Sequence, residues 1–165
     1  MGSRKGIAVT IAILVGVVAA SFLVYLIPED TTMKITVSDF GKHLDITKER
    51  ATMESSSIDE SFKKLMKNDM SQDEYIRIAE VSSSQINSLI IELTNSGATQ
   101  EWTESYVNYI GALKKLSEMI TETIVIASLL DNDDNSDSIN EIITKIRQLE
   151  TESLELTKKS DAARP

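Results

Sequence analysis

The sequence predicts an all-α protein, with a single N-terminal transmembrane helix followed by an up-down-up-down four-helix bundle. Three observations carry that expectation. Ile7 to Ile27 is a stretch of 21 residues without a charge. Beyond residue 38, apolar residues recur at alternating three- and four-residue steps, which places them on one face of an α-helix. Turn chemistry interrupts that rhythm three times and leaves four helical segments.

The span comes first. At about 1.5 Å per residue, Ile7 to Ile27 reaches roughly 30 Å, the thickness of a hydrocarbon core. A cleaved secretory signal has a shorter apolar region, of about 7 to 15 residues. Ala19-Ala20-Ser21 offers a small-residue cleavage site, but a cut there leaves Phe22 to Ile27 as an exposed apolar start, so a retained signal-anchor is expected. Arg4 and Lys5 precede the span, while Glu29 and Asp30 follow it. Basic residues stay on the cytoplasmic side, so residues 1–6 are expected in the cytoplasm and the C-terminal domain outside the membrane. Tyr25 suits the interface, and Pro28 ends the helix at the water boundary. Ala8, Ala12, Gly16 and Ala20 recur every four residues, a small-residue stripe of the kind that lets two membrane helices pack closely. Possible partners are therefore membrane lipid and a second copy through the span.

Arg4-Lys5-Gly6 before the apolar run resembles the prepilin-type signal of archaeal pilins and archaellins. The resemblance covers Arg4 to about Ile27 and implies cleavage after Gly6, with the apolar helix forming a filament core. Ile11 stands where many bacterial pilins carry a Glu. The positive-inside rule accounts for the same two basic residues without cleavage.

Residues 28–38 form a connector, in which Met33, Ile35 and Val37 alternate with polar residues as an edge strand would. A helical domain is expected over 39–160. In its first segment, about Asp39 to Asn68, Leu44, Ala51, Ile58 and Leu65 keep heptad spacing, with Phe40 and Phe62 beside them. Thr52 to Ser57 is its weakest part, where a kink is expected. The second begins at Ser71, whose pairing with Glu74 makes a capping box, and Gly97 supplies its stop. Its apolar stripe is Tyr75, Ala79, Ser82, Ile86, Leu89 and Leu93. The third segment has the longest stripe, from Trp102 through Tyr106, Tyr109, Leu113, Leu116, Ile120, Thr123 and Ala127 to Leu130. Ile124, Val125 and Ile126 widen it beyond a two-helix seam, which favours a bundle over an isolated coiled coil. Ser138 with Glu141 makes a capping box for a fourth helix, whose inner face is Ile139, Ile142, Ile146, Leu149, Ser153 and Leu156. Residues 161–165 are expected to fray.

Composition narrows the function classes. Seventeen basic residues against 26 acidic ones repel phosphate backbones, so nucleic acid is not expected as a partner. No cysteine is present, which excludes disulfides, thiolate catalysis and cysteine metal sites. His43 is the only histidine, so a multi-histidine metal centre or a di-iron bundle with Glu-x-x-His on two helices is not available, and the ring is read as structural or solvated. No Gly-rich phosphate loop and no G-x-S-x-G elbow occur. Asp131, Asp133, Asn135 and Asp137 resemble the opening of an EF-hand loop. Ser136 then replaces the turn-making Gly, Ile142 replaces the bidentate Glu, and Glu141 comes one residue early, so a solvated interhelical turn is expected. Trp102, Tyr106 and Tyr109 are read as anchors of one bundle end rather than as a ligand patch.

No cofactor and no catalysis are expected. The leading expectation is a membrane-anchored extracytoplasmic helical interaction or sensor-like module with an unknown protein partner. Its plan resembles extracytoplasmic four-helix sensor domains, without the second span and output domain of such receptors. A pilin-like filament subunit is the alternative, and a cation- or solute-binding domain a further one.

Overall fold

The computed structural model describes residues 37–130 and 135–165. The expected span with its Ala8, Ala12, Gly16 and Ala20 stripe, and Asp131 and Asp133 of the acidic run, lie outside the described residues. Among the described residues there are four helices and no strand: α1 (Phe40–Met66), α2 (Gln72–Thr94), α3 (Gln100–Leu129) and α4 (Ser136–Ala162). None of these is long and apolar enough to cross a membrane.

Local chemistry sets most of the boundaries. Asp39 caps α1 by accepting from the Lys42 amide at 2.9 Å, and Ser71 caps α2 by accepting from the Glu74 amide at 3.3 Å. The helix α1 ends in a Schellman turn, in which the Asn68 amide donates to the Leu65 carbonyl and the Asp69 amide to that of Lys64. Asn68 takes φ 60° there, the left-handed conformation that asparagine tolerates better than most side chains. Thr52 to Ser57 produces no break. The helix runs through it because Ala51 and Ile58 are buried on either side, and the Thr52 hydroxyl donates to the Lys48 carbonyl within the helix. Helix α4 begins two residues before the expected Ser138 cap, at Ser136, with Asn135 at the N-cap position and no side-chain cap bond.

Each helix runs opposite to the one before it. His43 near the start of α1 meets Glu92 near the end of α2, Tyr75 near the start of α2 meets Thr123 near the end of α3, and Ser105 near the start of α3 meets Ser160 near the end of α4. The central element is α3, which packs against all three others. Its Tyr106, Tyr109, Leu113, Ile120 and Ala127 are buried on one stripe. Ser105, Ala112 and Ile126, at heptad spacing on a second stripe, are buried as well. That second stripe meets α4, where the Ser105 hydroxyl donates to the Ser160 carbonyl and Ser153 donates to the Ala112 carbonyl. Gly111 permits the close approach, since a Cβ there would sit 3.3 Å from Leu156.

The fourth helix is less enclosed than its periodicity suggests. Among its expected inner residues Leu149 is buried, while Ile139, Ile142, Ile146, Ser153 and Leu156 are half-buried. The reason is topological: α4 packs along α3 and forms no extensive interface with α1 or α2. Its C-terminal end is nonetheless held. Ser160 is fully buried, Asp161 pairs with Lys48 at 2.5 Å, and Arg164, in the stretch expected to fray, pairs with Asp45 at 2.6 Å.

Candidate functional site

The densest polar chemistry lies where the start of α1, the end of α2, the start of α3 and the end of α4 come together. His43 follows α1's first turn, one residue before the buried Leu44, so its ring sits at the margin of the core. Glu92 holds the matching place on α2, one residue before the buried Leu93. The His43 Nε2 lies 2.9 Å from Glu92 Oε1, and its Nδ1 lies 2.9 Å from the Tyr106 hydroxyl. Glu92 Oε2 accepts from Arg50 at 2.9 Å. Tyr106 in turn donates to the Phe40 carbonyl at 3.0 Å.

Aromatic rings wall this network. Phe40 and Trp102 each stand edge-on to Tyr106, with centroids at 5.9 Å and 6.4 Å, and the His43 ring stacks against it at 6.0 Å. Burial pushes the Tyr106 hydroxyl up to about 12, with the charge of Asp39 adding and that of Arg164 opposing. It is therefore a neutral hydrogen-bond donor at ordinary pH. Lys48 lies 5.1 Å over the Tyr109 ring while pairing with Asp161. The bond from Arg164 holds the Asp45 carboxyl below the usual carboxylate range. The lone histidine thus joins three helices, and the ion pairs beside it attach the fourth.

A histidine between a carboxylate and a phenol has the parts of an acid–base relay. Here both ring nitrogens are occupied within the bundle and the side chain is 15 % exposed, so the arrangement ties helices together rather than facing a substrate. No family model, curated protein or solved structure matches this chain. Function must therefore be argued from the residues themselves.

The acidic run is only partly visible. Asn135 turns its side-chain amide onto the Leu129 carbonyl at 3.0 Å, and Asp137 is exposed in the first turn of α4. Among the described residues, no three His, Asp or Glu side chains are grouped so as to hold a metal ion. An open concavity of about 710 Å3 lies at this end of the bundle, lined by Leu65, Asn68, Asp69, Ser71, Glu74 and Leu130 among others. It carries acidic and neutral groups and lies away from the histidine network. Trp102, Tyr106 and Tyr109, read as anchors of one end, do pack there. What sequence reasoning missed is the partnership of His43 with Glu92, 49 positions apart. The available signal was positional: both residues directly precede a core leucine on helices expected to be neighbours.

Proposed function

We propose that this chain is a membrane-anchored, extracytoplasmic helical interaction module without catalytic activity. One observation carries the reading: a 21-residue uncharged segment, Ile7 to Ile27, follows Arg4 and Lys5 and precedes a domain with its own packed core. The length suits a lipid span, and the basic pair suits a cytoplasmic N-terminus. The Ala8, Ala12, Gly16 and Ala20 stripe supports pairing of two copies through that span. The acidic balance of the chain favours a basic protein surface as partner over a nucleic acid. A non-enzymatic role is supported by the histidine network, whose polar atoms bond to one another.

Protease added to sealed cells tests the topology. The reading requires loss of the C-terminal domain while cytoplasmic controls survive, together with recovery of the chain in the membrane fraction. A protected domain, or a chain that fractionates as freely soluble, ends it. Intact-mass measurement separates the filament alternative, because a mature chain beginning at Ile7 is expected of a cut prepilin and an uncut chain is expected of an anchor.

A further inference from the structure

We infer that α4 is a strap that opens as a unit, closed by ion pairs over one face of α3 while α1, α2 and α3 keep a core of their own. The composition of the core separates the helices. Among the described residues, the large buried cluster draws its buried side chains from α1, α2 and α3 alone, from Leu44 to Ala127. Helix α4 reaches that cluster only through Leu156, which is half-buried against it. Its own buried residues are Leu149 and Ser160, two in 27, and both lie outside the cluster. A helix whose departure leaves the main core in place can open at a lower free energy than global unfolding requires.

The seam beneath α4 is long but poor in apolar contact. Helix α4 runs close along α3, because Gly111, Ala112 and Ser153 let the two backbones approach. Small side chains bury little apolar area per turn, and burial of an apolar face is what stabilises most helices in proteins. Two hydroxyl bonds cross the seam, from Ser105 to the Ser160 carbonyl at 2.7 Å and from Ser153 to the Ala112 carbonyl at 3.0 Å. When α4 lifts, water replaces each of them, so their net contribution to closure is small.

Ion pairs supply the rest. Lys145 meets Glu122 at 2.6 Å in the first half of α4, and Glu152 meets Lys115 at 3.1 Å further along. At the far end, charges alternate in a chain that also reaches α1: Asp45 to Arg164 at 2.6 Å, Arg164 to Asp161 at 3.2 Å, and Asp161 to Lys48 at 2.5 Å. Asp45, Asp161 and Lys145 are each more than half exposed, so salt reaches these pairs. Such pairs weaken as the screening length falls from about 10 Å at 0.1 M salt to about 3 Å at 1 M. The helices α1, α2 and α3 are joined mainly by buried apolar side chains, so salt loosens α4 before it loosens them.

Opening uncovers the stripe of α3 that carries Ser105, Ala112 and Ile126, all buried when the strap is closed. The fold thus holds one face that is covered or open according to its ionic surroundings. The inference does not rest on where the bundle is displayed or on what it binds.

Hydrogen–deuterium exchange of the full chain in detergent micelles, at about 0.1 M and about 1 M sodium chloride and one pH, tests it. Once detached, α4 loses the packing that keeps it helical, and its amides exchange. They should exchange faster than those in the middle of α2 and α3 at both salt concentrations. High salt should speed α4 by roughly 5- to 30-fold and α2 by less than about twofold. Arg164→Gln removes two of the three links in the terminal chain and should speed α4 at low salt by about 2- to 5-fold. Lys63→Gln, which loses a 3.5 Å pair to Asp59 inside α1, should leave α4 unchanged. Exchange of α4 in step with α2 and α3 overturns the strap, because global unfolding alone would then expose it. So does exchange of α4 that is indifferent to salt, or an equal effect from the two variants.

Discussion

The buried pair Tyr75 and Thr123 allows the packing argument to be tested with a double-mutant cycle. Tyr75 is fully buried on α2, and its hydroxyl donates to Thr123 Oγ1 on α3 at 2.6 Å. Thr123 Oγ1 passes its own proton to the Ile120 carbonyl, also at 2.6 Å. Tyr75→Phe removes a donor and keeps the ring, so it should cost about 1 kcal/mol, the usual net worth of one internal hydrogen bond. Thr123→Val is close in shape but strands the Tyr75 hydroxyl in a dry environment. Its cost should be about 1–3 kcal/mol, because a buried donor without an acceptor loses its hydration outright. The double variant replaces both partners by apolar groups and should be no worse than Thr123→Val alone. Urea unfolding of the full chain, read at Trp102, gives the four free energies, and 1 kcal/mol corresponds to about 3–5 °C in a domain of this size. If Tyr75→Phe proves costlier than Thr123→Val, or if the double variant equals the sum of the singles, the two hydroxyls are not coupled and the described register of α2 on α3 is wrong.

Burial pushes the Tyr75 hydroxyl up to about 12, as it does that of Tyr106, and raises Tyr109 too. Each exceeds the unfolded value of about 10, so the neutral forms stabilise the fold below pH 10 and that stability is lost as pH climbs toward 12. Tyrosinate absorbance should therefore rise together with loss of helical circular dichroism, and ionisation of all tyrosines near pH 10 with the helices intact would contradict the burial. Asn68→Ala places a Cβ at φ 60° without the side chain that eases that conformation, and should cost about 1 kcal/mol in urea titration. Leu149→Ala on α4 should cost about 2 kcal/mol, whereas Leu154→Ala, at a position 56 % exposed, should change the midpoint very little. Equal costs at the two positions would mean that α4 is seated on a different face.

The inner faces of α1 and α2 were legible residue by residue. Leu44, Ala51, Ile58 and Leu65, and then Tyr75, Ala79, Ile86, Leu89 and Leu93, are buried where periodicity put them. On α4 the same rule named the inward side but not the degree of enclosure. Periodicity records which face turns inward; the number of neighbouring helices, which decides how far Ile139, Ile142 and Ile146 leave solvent, is not written locally. On the second buried stripe of α3, Ile126 already reads in the sequence as widening the buried arc, but the N-terminal part of that stripe escaped notice for a different reason. Ser105, Ala112 and their partner Ser160 are small or polar and leave no hydropathy signal, although small side chains are what close helix approach demands. The histidine site was hidden by distance along the chain, since nothing near His43 announces a carboxylate on another helix. The Ser138 capping box does not start the helix, because the chain is already helical from Ser136, with Asn135 at the N-cap position and no side-chain cap bond.

These polar contacts also bear on why the bundle has a single register. An apolar seam repeats every heptad, so sliding one helix by seven residues, roughly 10 Å, brings leucines and isoleucines opposite one another again. Apolar burial alone therefore discriminates weakly between the native alignment and a slipped one. A polar tie is not repeated in this way. Moving α2 along α3 by a heptad separates Tyr75 from Thr123, moving α1 along α2 strands Glu92 with no histidine, and moving α4 along α3 removes the carbonyl that Ser105 needs. The α2–α3 and α3–α4 slips each leave a buried hydroxyl unpaired, at about 1–3 kcal/mol apiece, and the α1–α2 slip unpairs a half-buried carboxylate, while the apolar area buried changes little. The serine, threonine and histidine residues set into these seams weaken the core locally, and the same residues give each pair of adjacent helices one alignment in which its polar groups are satisfied.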